Sequence, residues 1–216
     1  MAGHSKWANI RHKKSKTDAQ KGKLFTKIGR EITVAVKEGG PDPESNSRLK
    51  DAIAKAKAAN MPSENIMRCI RKAAGELDSD NYEEIVYEGY GPGGVAVIVE
   101  ALTDNRNRTA GDIRHFFDKY GGNLGQTGCV SFMFNKKGVI IVEKNDKITE
   151  DQIIMDALDA EAEDVNVEKD YYEILTAAED FSKVRIALEQ KGYDFAEASV
   201  QMIPVTTTKL TDPKQI

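Results

Sequence analysis

Cysteine is scarce in this chain of 216 residues, which contains only Cys69 and Cys129. These two residues lie far apart and form no CxxC or Cys/His spacing, so they support neither a structural zinc site nor a disulfide framework. Long apolar runs are also absent, because the longest candidate, at 95–102, falls well short of the roughly 18 residues that a membrane helix needs. The sequence therefore predicts a cytoplasmic protein without metal, cofactor or membrane contact.

Catalytic groups are equally sparse. The three histidines, His4, His12 and His115, have no metal-ligand spacing, and no nucleophile, base and acid occur in a recognisable arrangement. A small-molecule sensor or enzyme would need polar residues that converge on an apolar pocket, and the sequence offers no such set. We therefore expect no catalytic residues, no enzyme activity and no small-molecule substrate.

The charge of the chain is unevenly distributed, although the formal net charge of the whole sequence is only −4. Residues 1–74 contain 17 Lys and Arg against 7 Asp and Glu, a net charge of +10. The remaining residues contain 14 basic and 28 acidic side chains, a net charge of −14. Two parts of opposite sign indicate a basic binding module joined to an acidic body.

Basic residues are densest at the start of the chain. Such density suits phosphate contact, because lysine and arginine near a polyanion release condensed counterions. The alternatives are a solvated arm or an organellar transit peptide, but the basic bias continues through three predicted helices, which favours nucleic-acid binding. The candidate nucleic-acid-binding residues in this stretch are Lys6, Arg11, Lys13, Lys14, Lys16, Lys21, Lys23, Lys27 and Arg30.

Trp7, the only tryptophan, lies within this basic stretch. Its ring could stack on an unpaired base. A lone tryptophan near a helix more often packs an arm against the core, and we favour that interpretation.

The first 75 residues show the periodicity of three amphipathic helices, with apolar residues on one face and basic residues on the other. Gly39-Gly40 is expected to end the first helix, and Asp42-Pro43 to cap a second one that runs to Asn60. A third helix is expected to begin at Pro62 and to end at Gly75. The residues expected to face inward are Phe25, Ile28, Ile32, Val36, Leu49, Ile53, Ala56, Ile66, Ile70 and Ala73.

From residue 83 the pattern changes to short β-rich runs. Two of them, EEIVYEGY and VAVIVEAL, flank GPGG and predict a hairpin, after which a helix through Ile113 and a strand at 129–134 are expected. This β-β-α-β block lacks a final helix and strand of its own. Because the chain after Pro204 is too short to supply them, we expect that the sequence is truncated.

The next segment begins with an expected turn at Lys136-Lys137-Gly138. It continues as β-α-β-β-α-β to residue 203, which is the split unit of the ferredoxin-like fold. Within it, the acidic run from Asp156 to Asp164 is expected to be a solvated helix end, and docking of a basic protein on this run receives little weight.

A second candidate binding feature is TDNRNRTAGDIRHFF, at residues 103–117. Asn105 or Asn107 can cap the helix here, which places Arg106 and Arg108 near its positive end. An anion bound at the helix N-terminus would explain two arginines there, and pairing with Asp104 or Asp112 would explain them equally well. Arg106 and Arg108 therefore join the candidate nucleic-acid-binding residues, with both explanations open.

The glycine-rich stretch GGNLGQTG, at residues 121–128, is weak evidence for a nucleotide loop, because no GK[ST] follows and no GxGxxG opens a helix. It is more typical of a flexible turn beside a strand that approaches a ligand closely.

Several of these stretches resemble the YebC family, which includes the mitochondrial translational activator of cytochrome c oxidase. They are AGHSKWANIRHKK with KGKLFTKIGREI, and ALTDNRNRT with GGNLG, in the same order along nearly the whole chain. Cys129 departs from relatives that often have a serine after GGNLGxxG, and we interpret it as a tolerated small residue.

The resemblance implies a multi-domain fold, α and α+β. A basic helical bundle at 1–76 would precede two ferredoxin-like α/β domains, the third inserted into the second. The second domain would comprise 77–135 with 205–216, without its C-terminal helix and strand, and the inserted domain would comprise 136–204.

The resemblance also implies a regulator of gene expression that binds DNA, with a translation factor that helps ribosomes through proline-rich stretches as the alternative. The residues themselves do not decide between DNA and ribosomal RNA as the partner. If the partner is ribosomal RNA, the protein would bind the ribosome. A broad lysine surface without a readable recognition helix fits backbone contact better than base readout. An adaptor that uses the acidic body to bind proteins is a further alternative.

Overall fold

The structure, a computed structural model, describes Trp7, residues 18–75 and residues 82–212. Three helices open the described chain: α1 at Asp18–Gly39, α2 at Ser47–Ala58 and α3 at Ser63–Gly75. Their apolar faces form one core, in which Ile28, Ile32 and Leu49 are completely buried. The predicted apolar faces of the three helices are thereby confirmed.

The beginning of α2 differs from the prediction, because Asn46 caps it and Asp42 does not. Oδ1 of Asn46 accepts a hydrogen bond from the backbone N–H of Leu49 at 3.0 Å. Its Nδ2 donates to the backbone carbonyls of Ala35 at 2.7 Å and Gly40 at 2.8 Å. Asn46 thus joins the end of α1 to the start of α2, which Asp42 could not do from within the turn.

A three-stranded antiparallel sheet follows, in the order β2-β1-β3. It contains β1 at Glu83–Tyr90, β2 at Ala96–Thr103 and the short β3 at Asn123–Leu124, with helix α4 at Arg106–Lys119 between β2 and β3. The predicted hairpin is confirmed, since Glu83 pairs with Thr103 and Tyr90 with Ala96. The strand predicted at 129–134 is wrong, because Ser131–Met133 is a short 3₁₀ helix.

The second sheet contains four strands in the order β5-β6-β4-β7. Its elements are β4 at Phe134–Glu143, helix α5 at Glu150–Asp159, β5 at Asp164–Val167, β6 at Tyr171–Ala177, helix α6 at Phe181–Gln190 and β7 at Glu197–Pro204. This is the predicted β-α-β-β-α-β series, and its strand order is that of a ferredoxin-like unit. The described residues therefore combine six α-helices with two sheets.

The turn predicted at residues 136–138 is wrong, because these residues lie within β4. Glycine is needed at position 138 of this strand because a Cβ atom there would clash with Oγ1 of Thr176 and lie 2.8 Å from Phe181. Glycine in the interior of a strand often marks such a close approach.

The acidic run was expected to be a solvated helix end, and that is wrong for Asp156, which is buried. Its carboxylate accepts hydrogen bonds from Lys191 Nζ at 2.5 Å, Tyr193 Oη at 2.6 Å and Gln152 Nε2 at 3.0 Å. Burial opposes ionisation of Asp156, but the hydrogen bonds from Lys191, Tyr193 and Gln152 outweigh it and lower its pKa to about 2. The carboxylate therefore joins α5 to the end of α6.

The described chain divides into two compact units. The first contains residues 1–77 with 137–201, and the second contains residues 78–136 with 202–216. None of the helices in the described ranges is long and apolar enough to cross a membrane.

Within the first unit, the N-terminal helices contact the four-stranded sheet and its helices. The ring of Trp7 is buried and stacks on Tyr171, with 5.2 Å between the ring centroids. Nε of Arg185, on α6, donates to Oδ1 of Asp51, on α2, at 2.9 Å, and Oγ of Ser182 donates to the other oxygen of the same carboxylate. The interpretation of Trp7 as a core residue is confirmed.

Candidate nucleic-acid interface

The basic face of α1 is exposed along its length. Lys23, Lys27 and Arg30 are exposed on the face opposite Ile28 and Ile32, which are completely buried. Lys21 is also exposed, but it lies seven residues before Ile28 and therefore on the side of the apolar stripe. Burying the apolar stripe against α2 and α3 fixes the rotation of the helix about its axis. Lys23, Lys27 and Arg30 therefore point away from the core because of the same packing that stabilises the bundle.

Five of the predicted binding residues lie outside the part of the chain that the structure describes. They are Lys6, Arg11, Lys13, Lys14 and Lys16. Their assignment to the interface stays a prediction.

Helices α2 and α3 contribute basic residues in different ways. On α2, Arg48 pairs with Glu38 at 2.5 Å, and Lys55 pairs with Glu31 at 2.7 Å. On α3, Arg68, Arg71 and Lys72 are exposed along the outer face. Both carboxylates of these pairs lie on α1, so the three helices together provide the cations of the bundle surface.

The second predicted group, Arg106 and Arg108, lies at the beginning of α4. Asn105 caps this helix, since its Oδ1 accepts a hydrogen bond from the N–H of Arg108 at 2.9 Å. Arg108 forms an ion pair with Asp104, and Nη1 of Arg106 lies 3.8 Å from Glu83. Both arginines have carboxylate partners, yet both remain largely exposed, so an anion can reach either guanidinium.

The sequence did not identify Glu88, the most constrained carboxylate of the second unit. It is buried on β1, and its oxygens accept backbone hydrogen bonds from Gly128 at 2.8 Å, Val130 at 2.9 Å and Ser131 at 2.8 Å. The N–H groups of Gly128 and Val130 lower its pKa more than burial raises it, and Ser131 lowers it further. We call residues 125–132, which include the three residues bound by this carboxylate, the Glu88 loop.

Two further contacts hold the Glu88 loop against β1. The N–H of Gly125 donates to the backbone carbonyl of Glu88 at 2.8 Å, and Oη of Tyr90 donates to the carbonyl of Cys129 at 3.3 Å. The only sequence signal was alternation in EEIVYEGY, which places Glu88 on the same strand face as Val86 and Tyr90. The glycine-rich stretch expected to be a flexible turn is thus held in place by an ionised side chain.

A groove of about 300 Å³ lies beside β2. Its lining is mostly apolar, with one carboxylate, and consists of Ala96, Val97, Ile98, Glu100, Phe134 and Met202. In the described ranges, no three His, Cys, Asp or Glu side chains are grouped so that they could hold a metal ion. The exposed basic face of α1 is the described feature with the clearest binding chemistry.

Two family models together match almost the entire chain. The model of the TACO1/YebC protein N-terminal domain matches residues 5–76, and that of the TACO1/YebC second and third domain matches residues 82–216. The second match spans both sheets of the structure.

Relatives of the chain bear a regulatory name. A probable transcriptional regulatory protein of Acetivibrio thermocellus is 74% identical over 216 residues, which are all of this chain and 89% of that protein. A probable transcriptional regulatory protein of Ruminiclostridium cellulolyticum is 68% identical over 216 residues, which are all of this chain and 87% of that protein.

The fold is also similar to that of a solved structure. The crystal structure of a conserved hypothetical protein from Aquifex aeolicus matches with a TM-score of 0.80 and 48% sequence identity. The match covers 93% of this chain and 82% of the Aquifex chain. On the evidence of both domain models and of these relatives, the chain belongs to the TACO1/YebC family.

Proposed function

We propose that the protein is a cytoplasmic, nucleic-acid-binding regulator of gene expression, which contacts the phosphates of DNA through its N-terminal helical bundle. The observation that carries the proposal is the exposed basic face of α1, with Lys23, Lys27 and Arg30, in a segment of net charge +10. The regulatory names of the relatives support the same function.

The mode of binding follows from the side chains on this face. Lysine ammonium groups on flexible stems contact phosphate oxygens as point charges and carry no base-specific geometry. The net charge of −14 after residue 74 repels a polyanion, so the nucleic acid approaches from the side of the basic bundle. We infer binding that depends on charge and shape more than on base sequence.

We also propose the three-domain arrangement of the family for this chain, with the domain at 136–204 inserted into the one formed by 77–135 and 205–216. It is supported by the grouping of residues 78–136 with 202–216 in one compact unit, because residues 137–201 belong to the other. The β-α-β-β-α-β series between Phe134 and Pro204 supports the same boundaries.

The proposal predicts that the full chain binds a labelled 30-base-pair DNA duplex, and that unlabelled duplexes of unrelated sequence compete equally well. The physical reason is that phosphate contacts are the same for every sequence. The measurement is fluorescence anisotropy at low salt, with a structured RNA hairpin as a further competitor. Absence of duplex binding would contradict the proposal, and stronger competition by the hairpin would contradict the assignment to DNA.

A second prediction concerns the double variant Arg106→Ala and Arg108→Ala. The two exposed ion pairs contribute little to folding, so the free energy of unfolding should fall by about 1 kcal/mol or less. The affinity for nucleic acid should fall if both guanidinium groups meet phosphates. Urea unfolding and the anisotropy assay measure the two effects, and a large loss of stability with unchanged affinity would show that the arginines are structural.

A further inference from the structure

One part of the acidic body carries no acidic residue. The stretch at 121–136 contains no Asp or Glu but contains Lys136, and the stretch at 203–211 contains Lys209 and no acid. The two stretches meet in the second unit, where the N–H of Val205 donates to the backbone carbonyl of Met133 at 2.9 Å. Lys136 and Lys209 therefore bring positive charge to a part of the chain whose net charge is −14.

The two stretches include an exposed aromatic ring. Phe132 retains 72% of its surface area, and the neighbouring Val205 retains 61%. Lys136 and Lys209 are exposed as well, as are the hydroxyl and amide side chains of Thr127 and Asn135. Aromatic rings beside cations and hydrogen-bonding side chains are typical of surfaces that bind single-stranded nucleic acid.

The backbone that precedes the ring is also held in a defined position. Glu88 binds three successive parts of the loop backbone, at Gly128, Val130 and Ser131, and the last of these immediately precedes Phe132. Burying a carboxylate to order a loop costs free energy, because the charge must be removed from water. Ordering the loop in advance lowers the entropy lost when the ring binds a ligand.

We propose that the Glu88 loop is a second nucleic-acid contact, in which the ring of Phe132 stacks on an unpaired base of a single strand while Lys136 and Lys209 contact its phosphates. This inference rests on the proposed function and adds to it a class of ligand, because an intact duplex offers no unpaired base. The two lysines would attract any polyanion, and stacking on the exposed ring favours a nucleic acid over an acidic protein segment.

The test compares Phe132→Ala with wild-type full chain in binding a 12-nucleotide single strand and the 30-base-pair duplex. Loss of one base–aromatic stack should weaken single-strand binding about 5- to 150-fold. Duplex affinity should stay unchanged, because it depends on the N-terminal bundle. The single strand is tested as RNA and as DNA, and a loss with either supports the site.

Three variants serve as controls. Phe132→Trp should retain single-strand affinity, since it keeps a stacking ring, whereas Phe132→Leu should lose it. Phe116→Ala removes another exposed phenyl ring, on α4 of the same unit, and should bind as the wild type does. The melting temperature of each variant confirms that it is folded.

Three outcomes would overturn the inference: wild-type affinity of Phe132→Ala for the single strand, retained affinity in Phe132→Leu, or an equal loss in Phe116→Ala. Each would mean that the ring contacts a protein or nothing. Such results leave duplex binding unaffected, so the proposed function would still stand. Failure of the wild type to bind the duplex would count against the proposed function itself.

Discussion

Replacing Arg185 with alanine is expected to lower the free energy of unfolding by about 2–4 kcal/mol. The side chain is only 3% exposed, and its Nε and Nη1 donate to Asp51 and Glu189 at 2.9 and 2.8 Å. Its removal leaves the Asp51 carboxylate with Ser182 but without its cation. The expected loss is somewhat below the roughly 3–5 kcal/mol of fully buried pairs, because Asp51 is 23% exposed.

Urea unfolding of the wild type and of Arg185→Ala measures this loss of free energy. Lys183→Ala is the matched control, since Lys183 lies on the same helix and pairs with Glu161 where both side chains are exposed. An exposed pair contributes about 0–1 kcal/mol, so the control should be nearly as stable as the wild type. Equal stability of the Arg185 and Lys183 variants would show that the contact between α2 and α6 stabilises nothing.

The double variant Lys23→Ala and Lys27→Ala is expected to bind duplex DNA about 60-fold more weakly than the wild type at 0.1 M salt. Each phosphate contact contributes about 0.9 to the salt exponent, which amounts to about eightfold per contact between 1 M and 0.1 M salt. Both side chains are exposed on α1, and alanine is a good helix former, so the bundle should stay folded.

The matched control for this variant is Lys147→Ala with Lys169→Ala. These two lysines are also exposed but lie in the acidic part of the chain, so the net charge changes by the same amount. Anisotropy titrations should show near wild-type affinity for the control. An equal loss in both double variants would mean that only net charge matters and that α1 makes no specific contact.

Local patterns in the sequence predicted most of the fold. The apolar stripe of α1 was predictable because a helix buries residues at a regular spacing, and Ile28 and Ile32 follow it. The series from β4 to β7 was predictable because short apolar runs alternate with turn residues and helical spacing. Both signals depend only on neighbours in the chain.

The errors share a different physical origin, because each depends on a partner distant in sequence. Asn46 caps α2 while it also binds Ala35, and Asp156 is buried because Lys191, 35 residues later, neutralises it. The strand expected at 129–134 is absent because Glu88 binds the N–H groups of Val130 and Ser131, which a strand ladder would need. No local pattern reports such pairings.

The candidate interface was predictable only in part. Charge clustering identified Lys23 and Lys27, and the structure places both on an exposed face. Composition did not identify Glu88 or Phe132, because a single carboxylate in a strand and a single phenylalanine have no distinctive spacing. Their importance emerges only when the loop and β1 are seen together.

The salt dependence of duplex binding tests the central claim most directly. The logarithm of the wild-type affinity should fall linearly with the logarithm of salt concentration, and the Lys23/Lys27 double variant should have a slope smaller in magnitude by about 1.8. The Lys147/Lys169 control should keep the wild-type slope. A folded Lys23/Lys27 variant with the wild-type slope would contradict the account, because its side chains would then never neutralise a phosphate.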